Sequence, residues 1–149
     1  MIKKVPVPTD GSDHATKAVE FASDMGVKYK AKLVLLHVVD HKAEVPEGVL
    51  EFIREEHIQE RPAYVYLQML GRKIMEAAEG IAKKKGAKEV ESIIVEGNPA
   101  ERIIDFAKDN RTDLIVMGSR GLGAFGGLFL GSVSHKVNHL APCTCVTVK

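Results

Sequence analysis

The stretch VMGSRGLGAFGGLFLGS, residues 116–132, has six glycines in seventeen positions and directly follows an apolar run. An ordinary helix or strand does not tolerate so many glycines, because each one gives up side-chain packing and adds conformational freedom to the unfolded chain. Glycine is used where the backbone takes unusual angles or comes close to a ligand. The stretch therefore predicts a functional loop at the carboxyl end of a strand.

Strand-like and helix-like segments alternate on both sides of this glycine loop. Short apolar runs predict five strands, at 2–9, 31–39, 90–97, 112–118 and 143–148. Apolar residues at helical spacing predict the main helices, which we expect to start after Ser12, near Ala63, at Pro99 and at Ser132, with Gly26 and Gly86 ending the first two. This alternation predicts one α/β domain over 1–149, an open parallel sheet with helices on both faces.

Composition excludes several classes of function. Charged residues make up 28% of the 149 residues and the net charge is +1, which argues against a nucleic-acid or anionic-membrane partner. No run approaches the roughly 20 apolar residues that span a bilayer, and the N-terminus does not resemble a signal peptide. Cys143 and Cys145 lie too close together for an easy disulfide, so a cytoplasmic, reducing location is expected.

Three features outside the glycine loop have a plain structural interpretation. The segment 40–62 is too long for a structureless loop, and we expect a helix around 49–59 that forms a surface insertion rather than a lid. His135 and His139 have the spacing of a metal pair but lack a third ligand nearby. His37 is expected to be a buried, hydrogen-bonded histidine rather than a catalytic base.

The glycine loop and the next helix together suggest an anion site. Gly131 and Ser132 open that helix, whose free N–H groups and positive dipole end attract phosphate. A Walker P-loop is absent, because no lysine follows a glycine at the required place. The stretch GLGAFG (121–126) matches GxGxxG, but only one helix and one strand follow it, with no acidic residue, so a dinucleotide fold is disfavoured.

A third motif fits better: Gly118-x-x-Gly121, nine residues, then Gly131-Ser132. With VPTDGS (7–12), LLHVVD (35–40) and IVMGSRG (115–121) in the same order, the sequence resembles the universal stress protein family, in its ATP-binding branch. The resemblance covers nearly the whole chain except 40–62. It implies a five-stranded parallel sheet of order 3-2-1-4-5 and a homodimer formed through the last strand. Pro6 falls inside the central strand of that sheet, so a local irregularity is expected there.

The resemblance also implies an ATP site, with Mg²⁺ as an accompanying ion. Asp10 and the adjacent Pro8 and Thr9 would line the adenosine pocket, and Val38 would offer backbone contacts to adenine. The remaining positions would lie near the ribose and phosphates: Met117, Gly118, Ser119, Arg120, Gly121, Gly131, Ser132 and Val133. From its place after the first strand, Asp10 can accept a ribose hydroxyl or help to hold Mg²⁺; an Asx-turn is the structural alternative.

Three functions remain open at this point. No nucleophile–base pair and no paired carboxylates stand out, so the leading hypothesis is a non-enzymatic, regulatory ATP-binding stress protein with at most slow hydrolysis. The second hypothesis is an ATP-dependent phosphotransferase or ATPase. The third is a nucleotide-free dimerisation module that engages a partner protein through 40–62.

Overall fold

The computed structural model describes residues 1–58, 61–122 and 130–149. Five strands and five helices follow one another in these ranges: β1 Lys4–Pro8, α1 Asp13–Tyr29, β2 Lys32–Val39, α2 Glu47–Glu55, α3 Pro62–Lys84, β3 Val90–Glu96, α4 Pro99–Asp109, β4 Leu114–Gly118, α5 Ser132–Leu140 and β5 Thr144–Val148. The predicted strands and main helices are confirmed with small shifts of their ends. The middle of the glycine loop, 123–129, lies outside the described residues.

The end of the first helix differs from the prediction. Gly26 does not end α1, which continues to Tyr29 and is followed by Lys30 at φ 54°. A Cβ on Gly26 would lie 3.1 Å from Leu33 Cδ2 and 3.3 Å from the Ala31 carbonyl oxygen. This glycine therefore serves the close approach of α1 to β2 rather than helix termination.

The strands form two parallel sheets rather than one. β2 lies between β1 and β3 in the first sheet, and β4 pairs with β5 in the second, so the prediction of a single five-stranded sheet of order 3-2-1-4-5 is wrong. β1 and β4 lie side by side, but no ladder of hydrogen bonds joins them.

Prolines explain the interruption between the two sheets. The Thr9 N–H donates to the Leu36 carbonyl of β2. Because the direction of the backbone N–H alternates along a strand, the N–H groups of Val7 and Val5 also point toward β2. Pro6 and Pro8 therefore face β4, and neither has an N–H to donate. The irregularity expected at Pro6 is thus confirmed, and it is large enough to divide the sheet.

Helices cover both faces of the strands, as predicted. On one face, α1 and α3 pack over a core that includes Val5, Leu33 and Leu35. On the other face, α4 and α5 pack over Leu36, Ile115 and Met117. The carboxyl ends of β1, β2 and β4 stay open between these layers, and the loops that carry the candidate site start there.

The insertion contains a helix, α2, close to where one was predicted. Ile53 is buried, and α2 packs against α3. At the root of the insertion, the Glu96 carboxylate accepts hydrogen bonds from His41 Nε2 (2.9 Å), Tyr64 Oη (3.0 Å) and Gln68 Nε2 (2.8 Å). The start of the insertion and the first turns of α3, which follow it, are therefore both bonded to the carboxyl end of β3. Gln59, at the end of the predicted helix, lies outside the described residues.

Candidate functional site

The N-terminus of α5 has no side-chain cap. Gly131 occupies the cap position, whereas Ser12 caps α1 and Asn98 caps α4 with side-chain oxygens. Among the described residues, the amides of Ser132 and Val133 have no hydrogen-bond partner. Free amides at a helix start carry a partial positive charge, so this end of α5 is suited to an anion.

Hydrogen bonds hold this helix start against the beginning of the glycine loop. The Ser119 carbonyl accepts from the Gly131 N–H at 2.7 Å and from Ser134 Oγ at 2.7 Å. Ser119 N–H in turn donates to the Val148 carbonyl of β5 at 2.8 Å. A Cβ on Gly131 would lie 3.6 Å from the Gly121 nitrogen, so the Gly121 amide is close to the start of α5.

Gly118 and Ser119 are fixed by contacts with α1. A Cβ on Gly118 would lie 2.7 Å from the Ala15 nitrogen and 2.8 Å from the His14 carbonyl carbon, so only glycine lets α1 rest on the end of β4. The Ser119 side chain is fully buried, and 2.9 Å separates its Oγ from His14 Nδ1. Ser119 was predicted as a ligand contact, but its hydroxyl is engaged inside the protein.

Asp10 links the first loop, residues 9–12 between β1 and α1, to the glycine loop. Its Oδ1 accepts the Ser12 N–H at 3.0 Å, which is the Asx-turn considered as the structural alternative. Its Oδ2 accepts the Leu122 N–H at 3.0 Å, and a Cβ on Gly121 would overlap this same oxygen. Ser12 adds a second link, since its Oγ donates to the Arg120 carbonyl at 3.4 Å.

The remaining predicted positions differ in how open they are. Pro8 and Thr9 are buried at the end of β1, and Val38 is half-buried near the end of β2. Met117 is 3% exposed within the α4–α5 core, so it is first of all a packing residue. Arg120 is half-buried, and its guanidinium has no partner among the described residues, so it is available to an anion.

His37 supports the first loop from below. Its Nδ1 donates to the Thr9 carbonyl at 2.8 Å, and its ring packs against Gly71 of α3, where a Cβ would lie 2.9 Å from Cδ2. The prediction of a buried, hydrogen-bonded histidine is confirmed. This bond fixes the backbone between Pro8 and Asp10.

The sequence did not reveal all of the supporting residues. His14 and Ser134 were not singled out, although they hold Ser119 from two sides. Both lie in the first turn of a helix that follows a loop of the site, so helix-start position was the available signal. The contacts themselves join residues 15 or more positions apart and have no local pattern.

The described residues do not form a ready-made Mg²⁺ site. In ranges 1–58, 61–122 and 130–149, no three His, Cys, Asp or Glu side chains come together. Asp10 is a single carboxylate, and each of its oxygens already accepts a backbone N–H. Mg²⁺ is usually held by one or two carboxylates together with waters and substrate phosphates, so a Mg²⁺ at Asp10 would take most of its ligands from the nucleotide and from water.

The histidines and cysteines near the C-terminus show no special chemistry. His135 and His139 are both exposed on α5. Cys143 and Cys145 are free, and burial raises the pKa of both thiols, that of Cys145 to about 11. A raised pKa keeps a thiol protonated and unreactive. Within the described part of the chain, no helix is long and apolar enough to cross a membrane.

Known proteins share this chain's sequence and fold. The model of the universal stress protein family matches residues 1–149. Universal stress protein YxiE of Bacillus subtilis is 35% identical over 159 residues, covering 100% of both chains. The solved structure of MJ0577 from Methanocaldococcus jannaschii has a TM-score of 0.76 and 30% identity, covering 100% of this chain and 96% of that chain.

A further solved structure includes a nucleotide. It is a universal stress protein in complex with cAMP, with a TM-score of 0.73 and 26% identity, covering 99% of this chain and 97% of that one. Each of these matches spans nearly the whole of both chains, so the similarity extends well beyond the glycine motif. The chain belongs to the universal stress protein family.

Proposed function

We propose that this chain is a regulatory adenine-nucleotide binder whose ligand is ATP. The observation that carries the proposal is the uncapped start of α5 beside the glycine loop, where the amides of Gly121, Ser132 and Val133 have no described partner. Backbone amides gathered at a helix start bind phosphate groups well. The family member in complex with cAMP supports an adenine nucleotide as the ligand.

The rest of the nucleotide would extend from α5 toward the ends of β1 and β2. The Arg120 Cα lies close to the start of α5, 3.4 Å from where a Cβ on Gly131 would be, and the Arg120 guanidinium has no described partner. Thr9 is held in place by His37, and Val38 follows one residue later on β2. Because the proposed phosphate site consists of backbone amides and one arginine, it favours binding and release over catalysis, so we propose that turnover is absent or slow.

The experiment that tests the phosphate position uses Ser132, the first residue of α5. Proline is favoured at the first position of a helix, and Gly131 has φ −69° and ψ 165°, which suits a residue before proline. Ser132→Pro therefore removes one N–H and the hydroxyl without disturbing the helix. Ser132→Ala is the matched control, since it removes the hydroxyl alone.

We expect isothermal titration with ATP to separate the contribution of the Ser132 N–H from that of the Ser132 hydroxyl. Loss of a charge-assisted N–H contact costs about 1.5–3 kcal/mol, so Ser132→Pro should bind ATP about 10- to 100-fold more weakly than Ser132→Ala. Circular dichroism checks that both variants stay folded. Equal affinities in two folded variants, or no binding by the unaltered protein, would reject the site. Multiple-turnover phosphate release would instead favour the enzyme hypothesis.

We also propose that two copies of the chain associate through β5. The Val148 carbonyl accepts the Ser119 N–H, so the backbone N–H and C=O groups of Val148 and Val146 point toward β4. By strand alternation, the backbone groups of Thr147 and Cys145 point away from β4. In the described part of the chain, β4 is the only strand paired with β5. An unpaired strand edge is a template for pairing with another chain. The half-exposed side chains of Val146 and Val148 would add apolar area.

A further inference from the structure

Both oxygens of Asp10 are used to hold the protein's own backbone. Oδ1 accepts the N–H of Ser12 at the start of the first helix, and Oδ2 accepts the N–H of Leu122, 112 residues away in sequence. Each bond has a donor–acceptor distance of 3.0 Å, within the normal range for N–H···O bonds. One carboxylate thus ties together two loops that bracket the proposed phosphate position.

Gly121 shows how closely the carboxylate fits the glycine loop. A Cβ at this position would overlap Asp10 Oδ2, while its other contact, to Asp10 Cγ, would be 3.6 Å. A side chain at 121 would therefore force the Asp10 carboxylate to shift from its present position. The two motif positions form one structural unit before a ligand arrives.

This arrangement limits a role for Asp10 as a Mg²⁺ ligand. Each carboxylate oxygen already gives one lone pair to an amide hydrogen, so a cation could use only the remaining lone pairs, in the orientation that the two amides fix. If the carboxylate turned toward a metal, at least one amide would lose its acceptor. Turning toward a metal and holding both loops are therefore competing orientations of the same side chain.

We propose that Asp10 is a clasp, comprising its carboxylate and the amides of Ser12 and Leu122, that positions the Gly121 amide for phosphate and does not bind Mg²⁺. The positioning role and the absence of a metal role rest on the proposed ATP binding. The clasp itself is a property of the nucleotide-free protein. Asp10 is accordingly a positioning residue, and the two parts can be tested separately.

Hydrogen exchange of the nucleotide-free protein tests the clasp directly. Asparagine keeps one acceptor oxygen, so Asp10→Asn can hold only one of the two amides. We expect NMR to show the amide of Ser12 or Leu122 exchanging about 10- to 100-fold faster in this variant. Asp13→Asn, an equal charge change on the exposed first turn of α1, is the control and should leave Leu122 unchanged. Unchanged exchange of both amides in Asp10→Asn would overturn the clasp.

A double-mutant cycle tests the same contact without relying on one variant. Gly121→Ala should lower the melting temperature of the otherwise unaltered protein, because its Cβ overlaps the Asp10 carboxylate. In an Asp10→Ala background the overlap is gone, so the same change should have a much smaller effect. Additive effects of the two substitutions would contradict the proposed unit.

ATP titrations with excess Mg²⁺ and with EDTA test the metal role. As a clasp, Asp10 affects Mg²⁺-bound and Mg²⁺-free ATP alike. Asp10→Asn should therefore weaken ATP binding by the same factor in excess Mg²⁺ and in EDTA. A metal ligand would instead show a loss confined to the Mg²⁺ condition, and a tenfold difference between the two factors would refute the proposal. If the unaltered protein binds no ATP, the proposed function and the positioning role both fail, while exchange and melting still decide the clasp.

Discussion

Gly118→Ala should unfold this protein at a lower temperature even when no nucleotide is present. The added Cβ would lie 2.7 Å from the Ala15 nitrogen, 2.8 Å from the His14 carbonyl carbon and 3.0 Å from the His14 Cβ. Two of these three atoms belong to the backbone of α1. No side chain can rotate away to make room, so α1 and β4 must separate.

The expected size of the effect follows from the overlap. Favourable contacts between carbon-sized atoms begin at about 3.5 Å, so the closest approach is short by about 0.8 Å. Overpacking of this kind costs up to about 3 kcal/mol. The lower entropy of the unfolded alanine chain offsets about 0.4–1 kcal/mol. The net loss is therefore at most about 2–2.6 kcal/mol, which for a chain of this length corresponds to a fall in Tm of up to about 4–10 °C.

Thermal melting followed by circular dichroism, without nucleotide, measures this loss. Gly80→Ala is the matched control, because its Cβ would have no atom within 4 Å, and in the middle of α3 it should stabilise by about 1 kcal/mol. Gly131→Ala should lose only the N-cap preference for glycine over alanine, since its nearest contact would be 3.4 Å, so it should melt closer to the unaltered protein than Gly118→Ala does. A Gly118→Ala variant that melts like the unaltered protein would refute the packing role of Gly118.

Further predictions concern the strand edge, the insertion and the thiols. Thr147→Pro removes an outward N–H and leaves the β4 pairing intact, so sedimentation equilibrium should show a folded monomer; a persistent dimer would contradict association through β5. The hydrogen bond from His41, followed by that from Tyr64, lowers the pKa of Glu96 below its ordinary value of 4.5. Because this folded-state pKa is lowered, the carboxylate's stabilisation of the insertion is complete above the unfolded pKa and is lost as the pH falls through the folded one. A ¹³C NMR titration should show the lowered pKa of Glu96, and Tyr64→Phe should raise that pKa. An unshifted Glu96 pKa in both proteins would contradict the hydrogen bonds to its carboxylate. Burial raises the pKa of Cys145 to about 11 from an ordinary 9.0, so below pH 9 its thiolate should be about 100-fold scarcer than that of a free thiol. Its alkylation, followed by peptide mass spectrometry, should keep accelerating between pH 9 and pH 11, and a plateau near pH 9 would argue against the shift.

The order and type of the elements could be predicted because their signals are local. The last helix was predicted to start at Ser132, where the structure starts it, by the glycine before it and the apolar spacing after it. Asn98 and Pro99 likewise marked the start of α4, and the Asn98 side chain does accept the Glu101 N–H. Caps and apolar spacing act within a few residues, so a single sequence contains them in full.

Gly26 shows where local signals mislead. A glycine at the end of an apolar helical stripe normally indicates helix termination, but Gly26 lies inside α1. Glycine suits this position because a larger residue would come too close to Leu33 of the next strand. The same glycine preference arises from two causes, backbone angle and close approach. Sequence alone does not distinguish them.

For the candidate site, the sequence identified the segments but not their contacts. Residues 8–12, 118–121 and 131–133 do lie together near the carboxyl ends of β1 and β4, as the glycine motif indicated. The partners within the site were hidden, because His14 and Ser119 are 105 residues apart and Asp10 and Leu122 are 112 apart. Nothing in a local pattern encodes a pairing over that distance.

The sequence by itself determined the alternation of strands and helices and the parallel arrangement, since both follow from short-range periodicity and helix starts. Tertiary structure alone decided which neighbour each proline of β1 faces. Pro6 and Pro8 are visible to any reader of the chain, but only the strand register turns both toward β4 and divides the sheet in two. Register also brings Asp10 to Leu122, because side-chain direction in a folded chain depends on the packing of all the elements together and not on the residues next to it.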